Sequence, residues 1–377
     1  MSDKDYSPGL AGVIAGETTI ACVDQGVLLY RGYPIEQLAE KCSFEEVVHL
    51  LIFEQLPNPD ELSQVKSLLE RYRPLDKQVI EAMRGIPKDT PMMDVLRTMV
   101  SYAGHFDPVL GDDEPALQQR ALWLTAQIGA IISARFRMLN GQEPIDQKPG
   151  LSHAAQILYQ AQGEEPDELT ARLLDLTLIL YAEHDFNAST FTGRVICSTL
   201  SDMVSSVVGA IGALKGPLHG GANEAAMEML QRFKSADEAA EWVQSALQNK
   251  EKIMGFGHRV YKHGDHRARI LERELRKLAD QKGEQQWMAI YDAIKDPMVN
   301  EKQIHPNVDY PCGLTYYLLG LPLDFYTPLF VASRVTGWTA HIIEQMRDNR
   351  IYRPLSIYTG PAPRDIEPIG ERVHPRT

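Results

Sequence analysis

Residues 201–233, SDMVSSVVGAIGALKGPLHGGANEAAMEMLQRF, hold two helical patterns around a glycine-rich turn. Val204, Val208, Ile211 and Leu214 recur at three- and four-residue intervals, the mark of one apolar helix face. Gly216-Pro217 ends that helix, because proline lacks an amide hydrogen and clashes with the preceding turn. A second helix-forming run starts near Asn223, a residue type that caps helix N-termini. Between them stands His219, with Gly-Pro before it and Gly-Gly after it. Glycine lets a ligand approach the backbone closely. A helix N-terminus just downstream disfavours imidazolium, so the ring is expected to stay neutral. A neutral imidazole can donate its N–H to a carbonyl or enolate oxygen. The stretch reads equally as a turn with a structural histidine.

The same pattern runs outward through the chain. In CSFEEVVHLLIFEQLP (42–57), Ser43 and Glu46 have capping-box spacing, Val47, Leu50, Leu51 and Phe53 repeat helically, and Pro57 stops the run. PMMDVLRTMVSYAG (91–104) opens on proline and closes on glycine, the order a helix favours. Residues 116–139, 167–182, 237–249, 266–281 and 328–347 read as helices too. Strand signals are confined to TTIACVDQGVLLYRG (18–32), a hairpin turning at Asp24 to Gly26. Nothing alternates strands with helices, which argues against a doubly wound sheet. The expected fold class is all-α, many helices in a large and a small domain, with a minor N-terminal β-hairpin. Residues 222–320 carry the charged segment EKIMGFGHRVYKHGDHRARILERELRKLADQKGE and helices that look shorter. They are expected to form the small domain, inserted between residues 1–221 and 321–377 of the large one.

A chain of 377 residues is long enough for two domains. Its net charge of −13 argues against non-specific binding to nucleic acid or anionic membranes. Cys22, Cys42, Cys197 and Cys312 lack CxxC spacing, as expected of a reduced, cytoplasmic protein. MSDKDYSPGLAG has no apolar core of a secretory signal, and no uncharged apolar run reaches the ~18 residues of a membrane span.

Four further stretches could carry chemistry. In MGFGHRVYKHGDHRAR (254–269), His258 follows a Gly-x-Gly, and Arg259, Lys262, Arg267 and Arg269 crowd the residues after it. Clustered cations after a glycine turn suit an anionic ligand, phosphate or carboxylate. His258, His263 and His266 lack the spacing of a metal-binding HExxH helix, so no metal is expected. In HPNVDYPCG (305–313), Asp309 lies in an expected loop beside Tyr310; a carboxylate in partly apolar surroundings can act as a base. Such aspartates are more often turn formers. In LILYAEHDFNASTFTGR (178–194), His184 falls where an apolar helix meets polar turn residues, and a core histidine is the simpler reading. In FVASRVTGWTAHIIEQMRDNRIYRP (330–354), Arg334 adjoins the apolar stripe of Val331, Val335, Trp338 and Ile342 and needs a charged partner, internal or bound. Arg353 is a second candidate.

Taken together, these stretches resemble the citrate synthase family. LKGPLHGGANE, MGFGHRVYK, NVDYP and SRVTGWTAHIIEQ occur in that family in this order and at this spacing, and LLYRGYPIEQLAEKCSFEEVVHLL and LYAEHDFNASTFTGRVICSTLSD match it as well. The length is that of the short bacterial and archaeal form. The resemblance implies a homodimer with shared active sites, alone or in a larger assembly, that condenses acetyl-CoA with oxaloacetate and hydrolyses the thioester without a cofactor. By motif, Asp309 would take a methyl proton, His219 would stabilise the enolate, and His258 would polarise and protonate the oxaloacetate carbonyl. Arg267, Arg334 and the partner subunit's Arg353 would hold carboxylates. His184 would touch oxaloacetate, and Lys262 and Arg259 would bind CoA. His266 and Cys312 depart from the family's usual proline and small residue. The nearest alternative is a 2-methylcitrate synthase acting on propionyl-CoA, since one methylene alters discrimination by only ~1–3 kcal/mol. A metal-dependent hydrolase and a catalytically silent helical scaffold are the rivals from other classes.

Overall fold

The computed structural model describes residues 6–24, 27–257, 261 and 264–372. Three short antiparallel strands, β1 (Ala21–Asp24), β2 (Val27–Tyr30) and β3 (Tyr33–Pro34), form one sheet in the order β1-β2-β3. Val23 faces Leu28 across the first pair, and Tyr30 faces Tyr33 across the second. The hairpin thus extends to a third strand, and of its expected turn Gln25 and Gly26 lie outside the described residues. The remaining regular structure among the described residues is helical. α1 (Ile35–Lys41), α2 (Phe44–Phe53), α3 (Pro59–Tyr72), α4 (Lys77–Arg84), α5 (Met92–Ala103) and α6 (Glu114–Leu139) come first. α7 (His153–Gln162), α8 (Glu168–Tyr181), α9 (Ala188–Cys197) and α10 (Met203–Leu214) follow. α11 (Ala222–Leu230), α12 (Ala236–Asn249), α13 (His266–Lys282), α14 (Gln285–Lys302) and α15 (Asp309–Leu318) lead to the long α16 (Tyr326–Arg347).

Local chemistry sets these boundaries. Ser43 accepts the Glu46 amide while Glu46 accepts the Ser43 amide, the expected capping box of α2. Glu54, in the left-handed region, ends that helix before Pro57 is reached. Asn223 is not a cap: Gly221 occupies the N-cap of α11, and Asn223 is buried inside the first turn. Nor is Asp309 in a loop; it is the first residue of α15. The helices of 222–320 are not all short, since α13 has 17 residues and α14 has 18.

The core is organised around two helices. Every residue from Arg120 to Arg135 of α6 is buried, as is every residue from Tyr326 to Ile343 of α16. Helices covered on all sides belong at the centre of a large protein. They pack on each other, and α16 also meets α8, α9 and α10. The sheet is pinned to the end of α8 by Tyr30, whose hydroxyl lies 3.1 Å from the Ile179 and Glu183 carbonyl oxygens and accepts the Glu183 amide at 3.2 Å. Carbonyls left over at a helix C-terminus are satisfied there by a side chain.

Two glycines bring the site together. At Gly220, a Cβ would stand 2.3 Å from the Leu214 carbonyl oxygen, so the turn between α10 and α11 closes only without a side chain. At Gly313, a Cβ would stand 2.7 Å from the Asn223 carbonyl oxygen, and its absence lets α15 lie directly on the backbone of α11. Gly313→Ala is expected to push these helices apart at a cost of about 1–3 kcal/mol. Thermal unfolding and turnover check this: both the midpoint and the rate should fall, whereas a variant indistinguishable from wild type would show that the contact is slack.

Candidate active site

The turn after α10 presents His219 to a cluster of buried polar groups. Its Nε2 accepts the backbone N–H of Ser189 at 3.2 Å and lies 2.8 Å from the Ser189 hydroxyl. That hydroxyl also lies 2.8 Å from Asn187 Oδ1 and accepts the indole N–H of Trp338 at 3.1 Å. A ring nitrogen that accepts an amide hydrogen carries no proton of its own, so the neutral ring holds its proton on Nδ1. Burial, reinforced by the positive charge of Arg334, pushes the His219 pKa down to about 4. The ring is therefore neutral near pH 7, as the sequence suggests, with burial first and Arg334 second among the causes.

Asp309 opens α15, where the helix N-terminus favours a carboxylate. Its Oδ1 accepts the hydroxyl hydrogen of Tyr181 at 2.6 Å. Burial holds its pKa above the usual carboxylate range, against the Tyr181 hydrogen bond and the charges of Arg267 and Arg334. Asp265 adds to the upward push. A carboxylate so balanced has the basicity of a proton acceptor rather than of a surface ion.

Arg334 is buried in the middle of α16 and donates through Nε to the carbonyl of Tyr181 at 2.6 Å. Its guanidinium lies over the Phe330 ring, 4.8 Å from the centroid. Phe330 in turn packs on Tyr181, 4.5 Å between centroids, and faces His219 edge-on at 6.4 Å. Arg267, at the start of α13, is bound in a fork to Asp265, Nε to Oδ1 at 3.0 Å and NH2 to Oδ2 at 2.9 Å. Asp265 Oδ2 also accepts the Val308 amide at 3.0 Å, which ties the start of α13 to the start of α15. His184 lies just past α8, its Nε2 3.0 Å from the Tyr261 hydroxyl.

The structure thus gathers His219, Asp309, Arg334, Arg267 and His184 around the C-terminal end of α8. His258, Arg259 and Lys262 lie outside the described residues. The backbone leading to His258 is nonetheless stitched beside Asp309: Gly257 donates to the His305 carbonyl at 2.9 Å, and Asn307 donates to Gly255 at 2.9 Å. His263 is also outside them, and His266 pairs with Glu36 at 2.9 Å. Arg353 stands apart, exposed in the extended tail after α16, where its NH1 donates to the Pro354 carbonyl at 3.3 Å. Sequence reasoning missed Tyr181, Ser189 and Phe330. Only their nearness to His184 and Arg334 in the chain could have marked them.

Comparison with known proteins places the chain in a family. A family model described as "Citrate synthase, C-terminal domain" matches residues 9–355. The chain belongs to the citrate synthase family. It is 44% identical to 2-methylcitrate synthase 1 of Corynebacterium glutamicum, over 99% of this chain and 100% of that protein. It is 40% identical to citrate synthase 2 of Bacillus subtilis, over 97% and 99%. Its fold superposes with a TM-score of 0.91 on the citrate synthase of Thermoplasma acidophilum, solved as a ternary complex with carboxymethyl coenzyme A and oxaloacetate. That protein is 34% identical, over 98% of this chain and 100% of the other. As a citrate synthase family member, the chain is an acyl-CoA condensing transferase. No helix among the described residues is long and apolar enough to cross a membrane.

The depressed His219 pKa fixes the sign of its pH response. The ring should stay neutral, with its proton on Nδ1, from pH 8 down to about 5.5, below the ordinary histidine value. Nitrogen NMR of histidine-labelled protein reads both tautomer and charge. Protonation near pH 6.5, or a proton on Nε2, would contradict the assignment.

Proposed function

We propose that the protein is a citrate synthase, condensing acetyl-CoA with oxaloacetate and hydrolysing the product thioester to citrate and CoA. The observation that carries this reading is the neutral Nδ1–H of His219 set in one cluster with the hydrogen-bonded carboxylate of Asp309. Asp309 takes a proton from the acetyl methyl. The electron pair left behind moves onto the thioester oxygen, which receives the His219 N–H. The enolate carbon then bonds to the ketone carbon of oxaloacetate, and His258 delivers a proton to the ketone oxygen. Water cleaves the thioester and CoA leaves as the thiol. Arg334, Arg267 and His184 hold the dicarboxylate, and Lys262 and Arg259 hold the CoA phosphates. Residues 222–320 act as a small domain that closes on the larger one. The four unpaired thiols suit a reducing compartment, and we place the protein in the cytoplasm. Asp309→Asn and His219→Ala should each lower kcat by about a hundredfold or more in a folded protein, measured as oxaloacetate-dependent CoA release. Near-normal turnover in both would overturn the mechanism.

The 44% identity to a 2-methylcitrate synthase supports a second reading, 2-methylcitrate synthesis from propionyl-CoA, as the 40% identity to a citrate synthase supports the first. The same groups serve either acyl chain. We expect kcat/KM to be higher for acetyl-CoA, and a preference for propionyl-CoA would replace the first reading by the second.

We further propose a homodimer, alone or within a larger assembly, in which Arg353 serves the partner's site. The tail after α16 supports this. It is extended and exposes Ile351, Leu355, Ile357, Tyr358, Ile366 and Ile369, apolar side chains that a second subunit would cover. Mixing Asp309→Asn with Arg353→Ala subunits should recover roughly a quarter of wild-type activity, because half the dimers carry one intact site. No recovery after verified subunit exchange would exclude the shared site.

A further inference from the structure

Tyr181 is the last residue of α8 and is buried. It touches the site at three points. Its hydroxyl donates to Asp309 Oδ1 at 2.6 Å, its carbonyl accepts Arg334 Nε at 2.6 Å, and its ring packs on Phe330. The first two bonds engage the proposed base and a proposed substrate-binding arginine from opposite ends of one residue. We propose that Tyr181 is a positioning residue, whose hydroxyl holds the Asp309 carboxylate with one oxygen occupied and the other presented to the substrate methyl. This rests on the reading of Asp309 as the base.

The need for such a residue follows from the geometry of proton abstraction. An aspartate at the start of a helix can turn about its last side-chain bond, and that torsion is only broadly restrained by its own energetics. A carboxylate takes a weakly acidic proton well only when a lone pair is aimed at it within hydrogen-bond distance. The Tyr181 bond removes the rotation, because a phenol donating to a charged acceptor is among the stronger hydrogen bonds. Tyr181 cannot itself turn away, being held through its backbone by Arg334 and through its ring by Phe330. Behind it, the buried Cys312 thiol stands one turn along α15 from Asp309, between the Tyr181 and Tyr316 side chains. Tyr316 is anchored by the Thr177 hydroxyl at 3.3 Å.

The same bond also lowers the basicity of Asp309, because it favours the charged carboxylate. Burial and Asp265 oppose it; Arg267 on α13 and Arg334 on α16 act with it. Removal of the hydroxyl therefore has two readable effects. The carboxylate loses its aim, which lowers kcat, and it becomes more basic, which moves the acidic limb of the kcat–pH profile to higher pH.

Tyr181→Phe keeps the ring on Phe330 and deletes the hydroxyl alone. We expect kcat to fall about tenfold to a hundredfold, KM for oxaloacetate to change by less than about threefold, and the acidic limb to rise by about one pH unit. Combined with Asp309→Asn, Tyr181→Phe should cost nothing further, since the carboxylate it orients is gone. Wild-type kcat and pH profile in folded Tyr181→Phe, alongside an inactive Asp309→Asn, would overturn the positioning role and leave the base reading intact. A change confined to KM would also overturn it. An active Asp309→Asn would remove the base reading and this inference with it. If Tyr181→Phe yields no folded protein, 3,5-difluorotyrosine at position 181 supplies a stronger donor of nearly the same shape. The acidic limb should then move to lower pH, and an unmoved limb would overturn the inference.

Discussion

The hydrogen bond from Arg334 Nε to the Tyr181 carbonyl joins the end of α8 to the middle of α16 inside the core. It sets a permanent positive charge where water is excluded, and that charge acts on both His219 and Asp309. It disfavours imidazolium at His219 and favours carboxylate at Asp309. One cation thus pushes two titratable groups toward the protonation states that a proton transfer with enolate stabilisation requires.

A buried guanidinium is costly unless its surroundings answer it. Here the answer is spread over several groups rather than placed in one ion pair. Glu183, fully buried, is the largest influence sustaining the charge of Arg334 against desolvation. Its Oε1 lies 3.0 Å from His341 Nε2, and Arg194 donates to His341 Nδ1 at 2.9 Å and to Glu344 at 2.7 Å. With Nδ1 accepting, His341 donates from Nε2 to Glu183 Oε1, which gives that oxygen a defined partner. Gly337 makes the approach possible, because a Cβ there would stand 2.2 Å from Glu183 Oε2. Glu344 in turn accepts the Thr19 amide at 2.8 Å, which extends the network to the chain just ahead of the N-terminal sheet.

Much of this was legible in the sequence, and the reasons differ by residue. The helices with one apolar stripe, a cap and a terminating glycine or proline were legible because those signals are local. α15 was not, since NVDYPCG reads as turn chemistry while its helix is stabilised by packing on α11 through Gly313. His219 was legible from the bare backbone around it. Its neutrality was also legible, through a nearby helix N-terminus, but the burial and the arginine more than a hundred residues away in the chain that push its pKa down were not. Beyond its nearness to His184, nothing in the sequence marked Tyr181: a tyrosine closing an apolar helix looks like any core aromatic, and only the tertiary fold brings Asp309 to its hydroxyl.

If Arg334 governs the site as described, its removal should be felt at His219 without any change in the imidazole's own contacts. The direct measurement is the His219 pKa by nitrogen NMR in wild-type protein and in Arg334→Gln, with the Ser189 contact verified in both. The account predicts that the pKa rises from about 4 toward the ordinary histidine value in the variant and remains below it, because burial persists. An unchanged titration in a correctly folded variant would contradict it.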